Sequence, residues 1–488
     1  MKRLANFYAM FLNLMGGCLA LPLITALIYE ERSSVRAFAL VMVSCFALGA
    51  VIPLITKSRL SEMDMKLRES YFIVASIWLI ASVIGCLPYM LTGAIPGFIE
   101  AFFETCSGFT TTGSTVIGDV EALPRAVLLW RSLTQWLGGM GIIVLFVALL
   151  PRFGIKARNI AKAETPGPTV TKLTSRFEGT ARRLYVAYII LTVMLCIFLM
   201  GGGLSLYDAV NHAFTTMATG GFSTYNTSVG HFHSAYVTWV ITIFMFLAGT
   251  NFELFFIIAD GHPGRAFKNE EFRLYTGIVA VSTLAITASL MLRGGYGSAG
   301  HALRDSAFQV MTILSTTGYA TTDFAMWPAF CQMLLVILMV IGGSSSSTAG
   351  GVKVVRVLVL FKMIKREINI KLHGNIVDDV SLDEQKVLSE TVTYIIGFVT
   401  MYFLTLMAAT LLISVTGSGD FVTNFTAVLT CISNVGPGLG GVGPTCTFHF
   451  YDGFSKFVLA LVMVAGRLEL STFFILFSRF FWDPYRVL

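Results

Sequence analysis

The stretch FFETCSGFTTTGSTV, residues 102–116, places three consecutive threonines and a glycine directly after a mostly apolar segment. Long apolar segments lie on both sides of it, in a chain that is 55% hydrophobic and only 13% charged. Such a composition is far more apolar than that of an average soluble protein. The sequence therefore predicts a polytopic membrane protein with a hydroxyl-rich loop between two of its spans.

Apolar stretches long enough to cross a bilayer recur along the chain. Ten of them lie near residues 4–29, 35–56, 70–92, 126–150, 184–204, 234–259, 274–292, 327–361, 389–415 and 455–480. The first is long enough to span the membrane by itself, and we expect it to be retained rather than cleaved. An even number of spans places both termini on the same side of the membrane.

Lysine and arginine indicate which side that is. They are concentrated in the segments 57–70, 151–183, 260–273 and 362–388. The alternate segments 205–233 and 416–452 contain neither residue. By the positive-inside rule, the basic segments and both termini are predicted to be cytoplasmic. The net charge of +6 follows from this topology and does not indicate nucleic-acid binding. The 151–183 segment is either a contact for membrane lipid headgroups or a solvated loop.

Cysteine and histidine give no pattern typical of an enzyme. The eight cysteines lie mostly inside apolar runs without CxxC spacing, which predicts small buried side chains rather than disulfides or a metal site. The seven histidines form no HExxH motif and no catalytic Cys-His pattern. His231 and His233 alternate in an outer loop, where weak metal binding and simple solvation both remain open. We do not expect catalytic activity.

Three later stretches follow the same plan as residues 102–116. They are FTTMATGGFSTYN (214–226), VMTILSTTGYATTDF (310–324) and LTCISNVGPGLGGVG (429–443), and their aligned glycines, with the first, are Gly113, Gly221, Gly318 and Gly436. Glu100, Asp208 and Asp305 precede their glycines by the same number of residues, and Thr423 holds that place in the fourth copy. The intervening segment has about three helical turns, which is too short to cross a membrane and predicts a re-entrant half-helix.

Each copy is therefore predicted to contain a span, a half-helix, a glycine loop and a second span. Non-helical backbone survives at membrane depth only where it is buried in protein or lines a water-filled cavity. The predicted fold is an all-α polytopic membrane protein with four tandem pseudo-repeats of a helix–pore-loop–helix unit around one pore, plus two N-terminal transmembrane helices. The predicted boundaries are 1–66 for the N-terminal helices and 67–165, 166–268, 269–372 and 373–488 for the four repeats.

The loop composition favours a path for a monovalent cation. Glycine allows backbone angles closed to other residues, so that carbonyl oxygens can replace the water around an ion, and threonine hydroxyls add further oxygen atoms. The negative end of each half-helix dipole would face the same place. Oxygen ligands without a ring of carboxylates suit a monovalent ion better than Ca²⁺ or Mg²⁺. One such loop could serve only close helix packing, but four in register indicate a pore.

Together with the four loops, the stretches GGSSSSTAGGVKVVRVLVLFK (342–362) and AGRLEL (465–470) resemble the TrkH/TrkG/KtrB family of bacterial potassium-uptake proteins. The two extra N-terminal spans make the chain more similar to the TrkH/TrkG members. The resemblance implies a K⁺-channel-like fold in a single chain, pairing as a homodimer, and a cytosolic nucleotide-binding regulator of the TrkA type. It implies K⁺ as the transported ion and no prosthetic group.

The resemblance also implies a selectivity filter, carried over position by position. It comprises Thr110, Thr111, Thr112 and Gly113, then Ala218, Thr219, Gly220 and Gly221, then Ser315, Thr316, Thr317 and Gly318, then Ser433, Asn434, Val435 and Gly436. With one aligned glycine per copy, selectivity for K⁺ over Na⁺ should be looser than in tetrameric K⁺ channels. In the second copy either Gly220 or Gly221 could be the filter glycine, and the spacing favours Gly221.

The apolar run 327–361 would reach about 52 Å as a straight helix, well beyond the roughly 30 Å hydrocarbon core. It must therefore be interrupted, and the polar stretch in its middle predicts where. The resemblance makes this stretch an intramembrane gate, formed by Gly342, Gly343, Ser344, Ser345, Ser346, Ser347, Thr348, Ala349, Gly350 and Gly351. It lacks the GK[ST] ending of a phosphate-binding loop. Lys353 follows it, either as part of the gate or, as we favour, snorkelling to the cytoplasmic surface.

Arg467 lies about halfway along the last predicted span, with Glu469 two residues further on. A charge at that depth is expensive and should face water or oxygen partners. Positions two apart on a helix do not face each other, so Glu469 is not expected to pair with Arg467. The resemblance implies that Arg467 acts as a barrier or latch against residues 342–351, and interhelical pairing for stability is the alternative.

These features predict inward K⁺ conduction across the bacterial inner membrane, driven mainly by the membrane potential. A K⁺ symporter coupled to H⁺ or Na⁺ is the alternative, because the sequence does not reveal coupling. The four repeats share one orientation, with their loops on the outer side, which favours a continuous channel-like path over a midplane site between inverted repeats.

Overall fold

The computed structural model describes residues 2–56, 67–141, 177–373 and 379–482. Its regular structure is α-helical except for a few short 3-10 turns and one hairpin, in which β1 (Ser381–Leu382) pairs antiparallel with β2 (Gln385–Lys386). All eight cysteines are free, and only Cys446 is exposed. The predicted all-α class is confirmed.

The helices fall into an N-terminal group and four successive repeats. The N-terminal helices are α1 (Lys2–Cys18), α2 (Ala20–Ile28) and α3 (Arg32–Thr56). The first two repeats contain α4 (Leu67–Thr92), α5 (Phe98–Phe109), α6 (Arg125–Gly139), α7 (Phe177–Gly201), α8 (Leu206–Met217), α9 (Ala235–Gly249), α10 (Glu253–Ala259) and α11 (Pro263–Lys268). The last two contain α12 (Glu270–Arg293), α13 (Ala299–Leu314), α14 (Ala329–Ile341), α15 (Val354–His373), α16 (Ser389–Ser414), α17 (Phe421–Ser433), α18 (Gly453–Arg467), α19 (Leu470–Phe474) and α20 (Arg479–Trp482).

Six of the described helical segments are long and apolar enough to cross a membrane. They are Leu4–Ile28, Arg32–Thr56, Arg68–Thr92, Arg182–Gly201, Glu270–Arg293 and Ser389–Ser414. The predicted span 327–361 is interrupted after Ile341, as its length required. The predicted span 126–150 begins as α6, and its part beyond residue 141 lies outside the described residues.

Two of the predicted spans are bent helix pairs rather than continuous helices. The span near 234–259 bends by 97° between α9 and α10, and the span near 455–480 bends by 118° after Arg467. At the first bend, the Phe252 N–H donates to the Ser346 carbonyl at 3.1 Å, and the Gly249 carbonyl accepts from the Ser344 N–H at 2.9 Å. Contacts with a distant loop thus supply backbone hydrogen bonds that a continuous helix would have made itself.

Four short helices occupy the predicted re-entrant positions, and we call α5, α8, α13 and α17 the half-helices. They contain 12, 12, 16 and 13 residues, too few to cross a hydrocarbon core of about 30 Å at about 1.5 Å per residue. Capping explains two of their starts: Ser205 accepts the Asp208 N–H, and Asp420 accepts the Thr423 N–H. The predicted half-helices are therefore present.

The four repeats close into a ring. The helix that follows each glycine loop, which we call the inner helix of its repeat, packs against the half-helix of the next repeat. These contacts join α6 to α8, α9 to α13, α14 to α17 and α18 to α5. Because the fourth inner helix returns to the first half-helix, a single chain forms a closed arrangement around one centre. The predicted repeat boundaries are not tested by this packing and stay predictions.

The outer face of the described residues is apolar, and several charged residues are buried inside the protein. Leu292 is 83% exposed and Leu411 is 71% exposed on the outer face, whereas Glu104 and Arg131 are at most 2% exposed inside. An apolar exterior and a hydrogen-bonded polar interior are what a lipid environment requires. The N-terminal helices extend this exterior, because α1 packs on α3, and α3 packs on α4 of the first repeat.

Candidate functional site

The four half-helices end in one recurring backbone turn. The residue two positions before each aligned glycine has a positive φ, as has the glycine itself. The φ angles are 57° and 84° for Thr111 and Gly113, 53° and 76° for Thr219 and Gly221, 57° and 83° for Thr316 and Gly318, and 55° and 101° for Asn434 and Gly436. Threonine rarely adopts this left-handed region, so its occurrence there in three copies, with an asparagine in the fourth, indicates a specified geometry rather than chance.

Hydrogen bonds explain how each half-helix stops there. In the first copy, the Thr111 N–H donates to the Gly108 carbonyl at 3.0 Å and the Thr112 N–H donates to the Ser107 carbonyl at 2.9 Å. This pair of bonds is the Schellman motif, which satisfies the last carbonyls of a helix. The equivalent pairs are made by Thr219 and Gly220, by Thr316 and Thr317, and by Asn434 and Val435.

The four loops touch one another through their glycines. The distances from a β-carbon built on each glycine to the facing carbonyl oxygen are 2.2 Å for Gly113 and Gly220, 2.0 Å for Gly221 and Thr317, 2.1 Å for Gly318 and Val435, and 2.6 Å for Gly436 and Thr112. No real side chain fits at such distances, so these positions require glycine. Each glycine faces the next loop in order, and the fourth faces the first, which makes a closed ring.

In the second copy, backbone geometry distinguishes which of the two glycines belongs to the ring. Gly221 has the positive φ and approaches the third loop, as the other ring glycines do. A β-carbon on Gly220 would instead meet the Gln135 side chain, with its nearest atom at 2.4 Å. Gly221 therefore occupies the ring position, as its spacing predicted.

Hydroxyl groups in the loops are largely engaged with their own loop. Thr110 Oγ1 donates to the Cys106 carbonyl at 2.6 Å and lies 2.8 Å from Thr112 Oγ1. Ser315 and Thr317 repeat this arrangement in the third copy, with the same 2.8 Å separation. In both loops the backbone carbonyls, rather than these hydroxyls, remain the principal oxygen atoms of the ring.

The polar stretch 342–351 forms a loop directly against the ring, and we call it the gate loop. The Gly350 N–H donates to Thr316 Oγ1 at 2.8 Å. A β-carbon on Gly350 would lie 2.2 Å from the Ser433 carbonyl oxygen. Thr348 Oγ1 donates to the Ala248 carbonyl at 3.2 Å. The gate loop therefore contacts the end of α9 in the second repeat and the glycine loops of the third and fourth repeats.

Arg467 joins the gate loop to the first repeat. Its Nη1 donates to the Thr348 carbonyl at 2.8 Å, and its Nη2 donates to the carbonyls of Gly138 and Gly139 at 2.8 and 2.5 Å. Gly138 and Gly139 end α6, where helix carbonyls have no partner within the helix and carry partial negative charge. The Arg467 side chain thus contacts both the gate loop and the end of an inner helix.

Glu469 has other partners, as its position two residues from Arg467 predicted. Its carboxylate accepts hydrogen bonds from Arg356 Nη2 at 2.5 Å and from the Tyr394 hydroxyl at 3.0 Å. Arg356 is only 1% exposed, so this ion pair is buried. Glu469 has a φ of 65°, and it lies at the 118° bend that follows α18.

The expectation that Lys353 snorkels to the surface is wrong. Lys353 is 6% exposed. Its N–H donates to the Ile341 carbonyl at 2.7 Å, and the Val352 N–H donates to the Val340 carbonyl at 3.0 Å. The chain leaving the gate loop therefore folds back along the end of α14, which keeps Lys353 inside the protein.

Four polar residues that support the loops were not predicted from the sequence. Glu104 and Arg131 form a buried ion pair with 2.9 Å between Oε1 and Nη2, and Glu104 also accepts the Val116 N–H of the first loop. Gln135 contacts the second loop, and Glu271 accepts two hydrogen bonds from Ser345 of the gate loop. Charged residues inside predicted membrane segments are expensive, and that signal could have identified Glu104 and Arg131.

A closed ring of four glycine loops, each entered by a half-helix, defines the class of membrane ion-transport proteins built from helix–pore-loop–helix repeats. The TrkH family model, described as a cation transport protein, matches residues 34–289 and 295–483. The chain therefore belongs to the TrkH family of cation transport proteins.

Full-length relatives agree with this assignment. The Trk system potassium uptake protein TrkH of Salmonella typhimurium is 35% identical over 484 residues, covering 99% of both chains. The Trk system potassium uptake protein TrkG of Escherichia coli is 34% identical over 465 residues, covering 94% of both. The crystal structure of the potassium transporter TrkH from Vibrio parahaemolyticus superposes with a TM-score of 0.88 at 32% identity, covering 99% of both chains.

Proposed function

We propose that this protein takes up K⁺ across the bacterial inner membrane through one pore per chain, lined by the four glycine loops. The observation that carries the proposal is the closed contact of each ring glycine with the carbonyl of the next loop. Such a ring gathers backbone oxygen atoms of four loops at one place. Carbonyl oxygens held in this way can replace the hydration shell of K⁺.

The charge distribution around the ring supports a cation. All four half-helices end at the ring, so the negative ends of four helix dipoles face it. The proposed filter is the set of sixteen residues 110–113, 218–221, 315–318 and 433–436, and none of them carries a carboxylate. A ring of neutral oxygens suits a monovalent cation, whereas Ca²⁺ and Mg²⁺ are usually bound with carboxylates.

The membrane potential is a sufficient driving force for uptake. One elementary charge crossing about 100 mV releases roughly 2.3 kcal/mol, which concentrates K⁺ about fifty-fold at equilibrium. The pore needs no catalytic step and no prosthetic group for this. Flux that follows voltage without obligatory H⁺ or Na⁺ movement distinguishes this function from a coupled symporter.

The gate loop and Arg467 are proposed as the barrier on the inner side of the filter. The contacts of Gly350 with Thr316 and Ser433 support this role, because they place the gate loop directly against the proposed filter residues. Opening then requires breaking the Arg467 bonds to Thr348 and the end of α6. Glycines at both ends of the loop, with φ of 72° at Gly342 and 79° at Gly351, give it hinges.

The proposal extends to assembly and placement. The chain pairs as a homodimer, with membrane lipid around the apolar exterior and both termini in the cytoplasm. A TrkA-type regulator binds ATP, ADP or NAD(H) and docks on the cytoplasmic side, where it acts on the gate loop. The exposed apolar outer face and the basic cytoplasmic segments support this placement.

Growth of a strain deficient in K⁺ uptake at low external K⁺ tests the proposal. Gly113→Ala and Gly318→Ala place a β-carbon within about 2 Å of a carbonyl and should abolish rescue. Gly93→Ala is the matched control, because Gly93 also has a positive φ, 77°, but no heavy atom within 4 Å of the added carbon. Unchanged rescue by correctly inserted Gly113→Ala and Gly318→Ala would refute the proposed filter.

A further inference from the structure

The four loops are not equivalent at the position before the ring glycine. That position holds Thr112, Gly220, Thr317 and Val435 in the four copies. Gly220 lacks a positive φ, so its backbone does not require glycine. The space beside it is occupied by Gln135, a residue of α6 in the first repeat that is fully buried. In the second copy, the Gln135 side chain of the first repeat therefore lies beside the position at which the other three loops carry a side chain of their own.

Gln135 also holds the second loop by two hydrogen bonds. Its Nε2 donates to the Gly220 carbonyl at 2.6 Å, and its Oε1 accepts the Phe222 N–H at 3.0 Å. Together these bonds fix the orientation of the amide, because a flipped amide would oppose oxygen to the carbonyl. One helical turn earlier, Arg131 Nη1 donates to the Ser223 carbonyl at 3.2 Å. The α6 helix thus positions the second loop on both sides of its ring glycine.

The Gly220 carbonyl belongs to the ring, since it is the oxygen that faces Gly113. Among the described residues, no side chain donates a hydrogen bond to the equivalent carbonyls of Thr112, Thr317 or Val435. A carbonyl that accepts a hydrogen bond has one lone pair committed, and the donor's positive end opposes a cation nearby. The field strength of the coordinating oxygens is one determinant of ion selectivity in carbonyl filters.

We propose that Gln135 is a specificity-determining residue for K⁺, because its amide weakens one of the four ring carbonyls as a cation ligand. This inference rests on the proposed filter function. A ring with three free carbonyls and one weakened carbonyl holds a dehydrated K⁺ less tightly than four free carbonyls do. Its weaker field disfavours the smaller Na⁺ even more, because Na⁺ needs stronger ligands to replace its hydration shell. Freeing the Gly220 carbonyl, with the space beside it refilled, strengthens K⁺ binding but lowers the preference for K⁺ over Na⁺.

A pair of reciprocal variants tests the proposal. Gly220→Ala alone places a β-carbon on the Gln135 amide and should abolish K⁺ uptake. Gly220→Ala combined with Gln135→Ala removes that clash and should restore uptake. The double variant should have an apparent KM for K⁺ about threefold to tenfold lower than the unaltered protein, the range that one hydrogen bond is worth, and stronger inhibition by Na⁺.

Gln135→Leu is a second variant, which fills the space without either hydrogen bond and should also change the Na⁺ inhibition constant. Gln332→Leu is the matched control, because Gln332 donates to the carbonyls of Ala325 and Trp327 in an outer loop away from the ring. It should leave KM and Na⁺ inhibition unchanged. Membrane insertion of every variant is verified by its amount in the membrane fraction, and folding by gel filtration in detergent.

The outcomes separate this inference from the proposed function. A double variant that stays inactive although inserted, or one that transports with unaltered KM and Na⁺ inhibition, overturns the role of Gln135. Full uptake by Gly113→Ala and Gly318→Ala overturns the filter itself. Restored uptake with a shifted preference for K⁺ over Na⁺ supports the role of Gln135, because a residue that only stabilises the fold would not alter that ratio.

Discussion

Arg467 Nη1 lies 2.8 Å from the Thr348 carbonyl oxygen, which joins the end of the fourth inner helix to the middle of the gate loop. The same guanidinium donates to the carbonyls of Gly138 and Gly139. One side chain therefore links three of the four repeats below the ring. If the proposed function holds, its positive charge lies on the path of a cation that leaves the filter.

Arg467→Ala should raise K⁺ flux, because it removes both a positive charge from the pathway and the bonds that hold the gate loop. Hydrogen bonds to charged groups are worth roughly 1.5–3 kcal/mol, so we expect about a tenfold increase. Uptake of K⁺ by purified protein in liposomes measures this. Arg479→Ala, at an exposed position of the same terminal region, is the control. An unchanged flux would assign Arg467 to interhelical stability alone.

Glu271→Ala should also increase K⁺ leak. The buried Glu271 carboxylate accepts hydrogen bonds from the Ser345 N–H at 2.6 Å and from the Ser345 hydroxyl at 2.7 Å. These two bonds anchor Ser345 of the gate loop. Loss of this anchor favours loop displacement, and we expect a several-fold rise in flux, of the order that one or two hydrogen bonds provide. The exposed Glu253 supplies the control variant Glu253→Ala. Equal flux in both variants would contradict the anchoring role.

Arg131→Ala should strongly destabilise the protein. It leaves the Glu104 carboxylate, 0% exposed, without its cationic partner, and removal of one partner of a buried pair costs about 3–5 kcal/mol. The double variant Glu104→Gln with Arg131→Met should recover part of this loss, because no buried charge then remains. Thermal unfolding in detergent measures both. A double variant less stable than Arg131→Ala would contradict the explanation.

Thr111→Gly and Asn434→Gly should differ in stability although both residues have a similar positive φ. The Thr111 hydroxyl is buried and has no hydrogen-bond partner among the described residues, so its replacement should change stability by less than about 1 kcal/mol. Asn434 Nδ2 donates to Thr112 Oγ1 and to the Met463 carbonyl, both at 3.0 Å. Asn434→Gly should therefore lower the free energy of unfolding by about 1–2 kcal/mol more than Thr111→Gly does, which is measured from the melting temperatures. Identical melting temperatures would contradict this difference.

Much of the architecture was predictable from local sequence. The four glycine loops, their half-helices and the interruption after Ile341 follow from residue spacing and segment length. The assignment of Gly221 to the ring followed from the same spacing, and its φ of 76° agrees. These features depend on short-range rules, namely how long a helix must be to cross a bilayer and which residues allow a positive φ.

The support of the loops was not predictable in the same way. Gln135 lies in an ordinary amphipathic segment, and only its approach to Gly220 reveals its contact with the ring. Lys353 is buried because the chain after the gate loop folds back along α14, a path that no local pattern encodes. The positions of both side chains depend on contacts between segments that are distant in the sequence or that lie on opposite sides of a turn.

Local sequence is sufficient to predict the repeating unit and the four positions where only glycine fits. Tertiary structure alone decided the order in which the loops meet, the 97° bend after Gly249 and the joining of three repeats by Arg467. The physical reason is the need to satisfy backbone hydrogen bonds away from water. Local sequence fixes where a helix can stop, but only the assembled ring supplies the partners for the groups that its ends leave open.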